Sequence, residues 1–176
     1  MRPHAKDLIL NDSEETNYEI QDVIFALLAV CLVSSAITWA GEEGNGRVLQ
    51  GAGTTLVTGG TGSPSFVPVT TKFGVHWRNG EGRLECLALA PSAPAGTPGS
   101  GNFDTNVMYV TGPITSVVIR GAIAVLKGSA TVTGLGAGSN LPFTATAERG
   151  GSGARFVLTV SGLTFDEVVL EGGITF

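Results

Sequence analysis

Residues 143–160 read Phe143-Thr-Ala-Thr-Ala-Glu-Arg-Gly-Gly-Ser-Gly-Ala-Arg-Phe-Val-Leu-Thr-Val160, and this stretch decides the fold class. In its first five residues Phe and Ala alternate with Thr, and its last five residues place Phe, Leu and Val on one face. A period of two is typical of a β-strand with one face in the core and the other in water. The glycines between the two runs indicate a turn. The stretch therefore predicts two strands joined by a turn.

The rest of the chain beyond residue 40 repeats this pattern. Short runs of Val, Ile, Thr and Phe are separated by Gly, Ser, Pro and Asn, which predicts, for example, separate strands at Asn106–Val110 and Ile114–Arg120. Asn79-Gly80 lies between two such runs and is the strongest hairpin signal in the chain. We therefore predict an all-β fold, an antiparallel β-sandwich or a partly closed barrel of about 8–11 strands, preceded by one N-terminal hydrophobic helix.

Composition divides the chain at residue 40. All 26 glycines lie in residues 41–176. Residues 1–40 contain two basic and six acidic residues, a net charge of −4, and the remainder contains eight basic and nine acidic residues, a net charge of −1. We predict an N-terminal tail and targeting segment over residues 1–40 and a glycine-rich β-sandwich domain over residues 41–176. A domain so near neutrality, with no basic cluster, gives no reason to expect nucleic acid as a partner.

Val23–Ala40 is a run of 18 residues without a charge. Small residues at Thr38 and Ala40 fit a signal-peptidase site that cleaves between Ala40 and Gly41, whereas the acidic residues before the run are unlike the basic start of a signal peptide. The segment is read as a cleaved signal peptide, as an uncleaved membrane anchor or as a buried helix of a soluble protein. The first two readings predict a secreted or cell-surface location, with membrane contact only through this segment if it stays uncleaved.

The two cysteines do not form a disulfide framework. Cys31 lies inside the hydrophobic segment, so Cys86 has no partner in the predicted domain. Cys86 sits in the apolar run Leu84-Glu-Cys-Leu-Ala-Leu89, which favours a small buried core residue. The alternative is a reactive thiol or one that pairs with another chain.

A glycine-rich stretch, Thr55-Leu-Val-Thr-Gly-Gly-Thr-Gly-Ser63, looks like the phosphate-binding turn of nucleotide-binding folds. Its context is wrong for that role, because Pro64 and Pro68 follow it and no helix pattern or β-α-β alternation comes after. The stretch is read as a turn between strands, and no cofactor is predicted.

Residues for catalysis or metal binding are few. His76 is the only histidine beyond residue 40, and the acidic side chains are scattered along the chain, so no converging acid and base can be predicted. A zinc site is excluded because one histidine and one cysteine are too few. Asp104 and Asp166, in loop-like surroundings, are weak candidates for calcium ligands. We predict that the domain is not an enzyme; a small extracellular hydrolase is the less favoured alternative.

One aromatic residue suggests a ligand site. Trp77 is flanked by His76 and Arg78, and an exposed Trp ring between polar groups is a platform on which a sugar can stack. The competing interpretation places the Trp77 ring in the core, because adjacent strand residues point to opposite faces. These three residues are the speculative ligand-binding set, and a glycan is the corresponding partner.

The order of the motifs resembles a known kind of module. Phe73-Gly-Val-His-Trp-Arg-Asn-Gly-Glu-Gly-Arg-Leu84 is followed by Gly128-Ser-Ala-Thr-Val-Thr-Gly134, then by Gly150-Gly-Ser-Gly-Ala-Arg-Phe156, and near the end by Leu170-Glu-Gly-Gly-Ile174. This series is similar to the β-sandwich modules found at the C-terminal ends of secreted multidomain bacterial proteins. The resemblance implies a non-catalytic, accessory extracellular module.

The functional expectation is therefore a secreted or surface-tethered module with a structural, adhesive or self-assembly role. A glycine-rich antiparallel sheet can pair a free edge with the strand of a neighbour. The last predicted strand is a candidate edge, through the residues Val168, Leu170, Ile174 and Phe176. The alternative is a carbohydrate-binding module, and both hypotheses leave room for a cell-surface partner.

Overall fold

The computed structural model describes residues 48–63 and 68–176. The hydrophobic segment Val23–Ala40, the helix predicted there and the predicted cleavage between Ala40 and Gly41 lie outside the described residues. Within the described ranges no helix has the length and apolar character needed to cross a membrane.

Eight strands make up the fold. In chain order they are β1 (Leu49–Gly59), β2 (Thr70–Arg78), β3 (Glu81–Pro91), β4 (Phe103–Arg120), β5 (Ile123–Gly134), β6 (Gly138–Glu148), β7 (Arg155–Val160) and β8 (Leu163–Thr175). Each strand pairs antiparallel with the next one along the chain, and β8 pairs with β1 to close a barrel. The predicted all-β antiparallel class is confirmed, and the eight strands form a closed barrel.

Alternation of side chains fills the barrel. On β2, Thr71, Phe73, Val75 and Trp77 are buried and the residues between them are at least partly exposed. An eight-stranded barrel has an interior just wide enough for its own side chains. Phe73 and Phe156 stack there with ring centres 5.3 Å apart. The core is thus the inside of the barrel, and the outer face lies in water.

Two of the predicted strands belong to one longer strand. The stretches Asn106–Val110 and Ile114–Arg120 belong to one strand, β4, which continues through Gly112 and Pro113. A Cβ atom at Gly112 would lie 2.0 Å from the Ser129 carbonyl oxygen on β5, so only glycine permits this close approach. A register shift in the β4–β5 pairing follows, between Ile114 and Ser116, and the missing N–H of proline is tolerated beside such a bulge. Glycine here marks a bend inside a strand and not its end.

The closing seam between β1 and β8 also depends on glycine. Gly53 is opposite Gly172, and a Cβ atom at Gly53 would lie 2.0 Å from the Glu171 carbonyl oxygen. Gly172 has a φ of +87°, a conformation that side chains disfavour. The register shifts between Thr54 and Thr55, beside this pair. The two glycines therefore allow the first and last strands to meet.

Candidate functional site

The two ends of the barrel differ. At one end, β2–β3 and β4–β5 are joined by two-residue turns, one of which is Asn79-Gly80, with φ angles of 53° and 87°. That geometry confirms the predicted hairpin. At the other end lie the longer connections of residues 60–69 and 92–102, and we call this the loop end. Long loops at one end of a rigid barrel are the usual position of a binding site.

A cleft opens at the loop end. Its volume is about 500 Å³, and seven of its ten lining residues have apolar side chains: Val69, Ala88, Ala90, Val107, Met108, Leu135 and Phe165. Thr61, Gly62 and Ser63 complete the lining from the β1–β2 connection. Leu135, in the β5–β6 turn, is 51% exposed and forms part of this apolar lining. The cleft has the size and the apolar character of a small-molecule site.

Below the cleft, inside the barrel, lies a buried carboxyl group. Glu167 points inward from β8 and is 1% exposed. The Thr55 hydroxyl of β1 donates a hydrogen bond to Glu167 Oε2, and the Thr71 hydroxyl of β2 bonds the same carboxyl group. Burial raises the pKa of Glu167 to about 7, and the two hydroxyl groups oppose that rise only in part. The charge on this group therefore changes near neutral pH.

Cys86 faces the same part of the interior from β3. It is free and buried, which agrees with the core position predicted for it. Burial raises the pKa of its thiol well above the usual value, and the nearby Glu167 raises it further. The neutral thiol is a poor nucleophile, so Cys86 acts here as a small apolar side chain.

The predicted sugar platform is split between two faces of the sheet. Trp77 is 6% exposed and its ring lies in the barrel interior, whereas His76 and Arg78 are exposed on the outer face. The structure therefore does not bring the three side chains together. Stacking of a sugar on Trp77 would require its ring to leave the core.

A shallow polar depression lies on the outer face near His76. Gly74 has open space where a side chain would stand, and His76, Arg83 and Glu85 surround the space, which has a volume of about 340 Å³. Arg83 Nε donates to Glu85 Oε1 at 3.0 Å, and Arg83 also donates to the Thr111 hydroxyl at 2.9 Å. The depression thus offers hydrogen-bonding groups that are fixed in position.

The weak calcium candidates lie apart from each other. Asp166, on β8, receives two hydrogen bonds from the Arg155 guanidinium group, and this pairing lowers the pKa of its carboxyl group. Asp104 is exposed near the start of β4. In the described part of the chain no three acidic, histidine or cysteine side chains come together as metal ligands.

The four candidate edge residues lie on or just after a strand that is paired on both sides. Among the four, Val168 is half-buried, Leu170 is 48% exposed and Ile174 is buried in the core. Phe176 follows the strand, and the Arg149 guanidinium carbon lies 4.6 Å from the centre of its ring. The pairing of β8 with β1 reaches Thr175, whereas its pairing with β7 ends at Val168. Beyond that point the β6–β7 connection takes the place of β7, through hydrogen bonds of Val169 with Gly153 and Ala154 and of Ile174 with Gly150. A neighbour's strand could therefore add here only by displacing β1, β7 or this connection.

Comparison of the chain with models of known families, with curated proteins and with solved structures gives no match.

Sequence reasoning missed Glu167 as an interior residue. The run Phe165-Asp-Glu-Val-Val169 contains the signal, because a period of two places Phe165, Glu167 and Val169 on one face. The predicted last strand began at Val168 and therefore left out Phe165 and Glu167, which are two of the three residues of this alternation. The cleft itself has no sequence signal, because its walls come from five strands and connections that are far apart in the chain.

Proposed function

We propose that the barrel is a non-catalytic binding module that takes a small apolar molecule into the cleft at the loop end. The cleft of about 500 Å³ is the observation that carries the proposal. Clefts that bind small molecules have volumes of roughly 300–1,000 Å³ and are mostly apolar, with a few polar groups that orient the ligand. Because side chains fill the interior of this barrel, the body of the ligand would lie in the cleft at its loop end.

The exposed rim supports this choice of ligand. Leu135 stands at the rim next to the half-buried Val107, and Met108 lies deeper on β4. Exposing leucine to water has a cost, which a bound apolar molecule would remove at about 25 cal/mol for each Å² covered. The unbranched Met108 side chain can adapt its shape to a ligand.

An extracytoplasmic location, as predicted from Val23–Ala40 and from the resemblance to secreted bacterial modules, is part of the same proposal. The self-assembly role through strand edges is less favoured, because every described strand has two neighbours. An adhesive role remains compatible with the proposal if the apolar molecule is a group displayed on another cell or protein.

The test is a fluorescence titration of the purified protein with phenylnaphthylamine, a neutral dye that brightens in apolar sites. We expect saturable binding of one dye per chain. Leu135→Arg places a charge at the rim and should weaken binding by about tenfold or more. Leu170→Arg is the matched control, because Leu170 is 48% exposed and lies outside the cleft. Equal effects of the two substitutions, or no binding, would contradict the proposal.

A second candidate function is carbohydrate binding in the outer depression around Gly74. It retains His76 from the predicted sugar site and replaces the buried Trp77 with the polar pair Arg83 and Glu85. The observation that favours it is the space left open by Gly74 beside fixed hydrogen-bonding groups. A glycan array should then give signals that Arg83→Ala abolishes and Leu135→Arg leaves unchanged; a blank array excludes this candidate.

A further inference from the structure

Glu167 sits deep in the barrel next to free space. The cavity beside it has room for about one water-sized group, at about 10 Å³. Apolar side chains form most of its wall, and the polar groups are Glu167 and Thr71. A hydrogen-bond donor placed in this space would therefore meet a carboxyl group that still has lone pairs to offer.

The cavity and the cleft are neighbours. Ala88, Met108 and Phe165 line both of them, so these three side chains form the boundary between the apolar cleft and the carboxyl group. Ala88 and Met108 are paired residues on β3 and β4, and both side chains are buried in the barrel. Met108 is unbranched and has several rotamers, so of these three side chains it is the one best able to move and join the cleft to the cavity.

We infer that Glu167 is the polar anchor of the ligand, and that the ligand is an apolar molecule that ends in a neutral hydroxyl group. Its apolar body occupies the cleft, and its hydroxyl group passes Met108 and donates a hydrogen bond to the Glu167 carboxylate. This inference rests on the proposed function of the cleft and adds the chemical class of its ligand.

The surroundings of Glu167 decide between possible head groups. A carboxylate head group would stand next to the Glu167 charge without water between them, and the two negative charges would repel each other. An ammonium head group would have to shed its water shell in an apolar cavity, at a larger cost than a hydroxyl group. A hydroxyl group loses little hydration and regains a hydrogen bond to a charged acceptor.

The test compares decanol with decanoate as competitors of bound phenylnaphthylamine at pH 8. We expect the wild-type protein to prefer decanol by more than about tenfold. Glu167→Gln keeps the shape of the side chain and removes its charge, so it should reduce this preference several-fold, leaving only the part that comes from the desolvation of decanoate. Glu85→Gln makes the same change of charge on the outer face of β3 and should keep the full preference.

The outcomes separate the two proposals. If the dye does not bind, or if Leu135→Arg does not weaken it, the cleft itself is refuted. If the dye binds in the cleft but decanol and decanoate compete equally in the wild type, or if Glu167→Gln keeps the preference, only the role of Glu167 is refuted. NMR of isotope-labelled glutamate carboxyl groups provides a second measurement without a substitution: decanol should shift the Glu167 signal, and an unshifted signal overturns the inference.

Discussion

Glu167 is the only charged residue that is buried among residues 48–63 and 68–176, and its protonation is linked to folding. Its pKa is raised from 4.5 to about 7 because burial disfavours the charged carboxylate. Below pH 4.5 both the folded and the unfolded chain hold the proton. Between pH 4.5 and 7 the unfolded chain releases it and the folded chain does not, so the free energy of unfolding falls as the pH rises.

We therefore expect the wild-type protein to lose about 3 kcal/mol of stability between pH 4.5 and pH 8 from this group. Glu167→Gln removes the titrating group and should remove this loss, which makes the variant the more stable protein at pH 8. Urea unfolding at a series of pH values, followed by tryptophan fluorescence, measures both curves. Asp166 does not interfere, because its pKa is lowered from 3.8, so its stabilising contribution is constant over this pH range and is lost only at more acidic pH.

Glu85→Gln is also the control for the unfolding experiment. Glu85 is half-exposed, so its substitution should leave the pH dependence of the free energy of unfolding as it is in the wild type. Parallel curves for the wild type and Glu167→Gln would show that the carboxyl group is solvated in the folded protein. That result would also contradict the inference of a hydroxyl head group, which requires that Glu167 is shielded from water.

At the scale of the strand, Gly53 in β1 and Gly74 on the outer face of β2 should differ in how much stability a substitution by alanine costs. Gly53→Ala puts a methyl group 2.0 Å from the Glu171 carbonyl oxygen, so the seam between β1 and β8 must separate locally. We expect a loss of about 2 kcal/mol or more in the free energy of unfolding. Gly74→Ala places its methyl group in open space and should change stability by less than about 1 kcal/mol.

Chemical denaturation of the two variants side by side measures this difference. Both substitutions are Gly to Ala in a strand and both positions have ordinary φ angles, so strand propensity cancels between them. Equal stabilities would mean that the β1–β8 pairing can shift enough to accommodate a methyl group, and that the close approach at Gly53 is not required for closure.

The strands also show what the sequence could and could not predict. Period-two alternation located β6 and β7, and Asn79-Gly80 located the β2–β3 hairpin, because these signals are local. Strand continuity could not be predicted in the same way. Gly112 and Pro113 end a strand in most contexts, but here they lie within β4. Glycine is present at position 112 because β5 approaches it too closely for a side chain. That information belongs to the partner strand and not to the residue itself.

For the molecule as a whole, closure determines which surfaces are available. Pairing of β1 with β8 was not predictable, since it joins strands more than 100 residues apart, from Gln50 with Thr175 to Gly59 with Asp166. A sheet that stayed open would leave β1 or β8 ready to bind a neighbouring strand. The closed barrel instead leaves its two ends as binding surfaces, and at the loop end the cleft is a concave, mostly apolar surface.

Closure of the barrel predicts that consecutive amides in β8 exchange slowly with solvent. Backbone N–H groups along a strand point alternately to its two sides, so an edge strand protects only every second amide. In the closed barrel Asp166, Glu167 and Val168 are paired with β7 on one side and with β1 on the other, and we expect the amides of all three to exchange slowly. The exposed loop at residues 92–102 provides fast-exchanging reference amides in the same sample. Alternating fast and slow exchange in β8, measured by NMR, would mean that the seam opens in solution, and strand-edge assembly would then replace the cleft as the better-supported function.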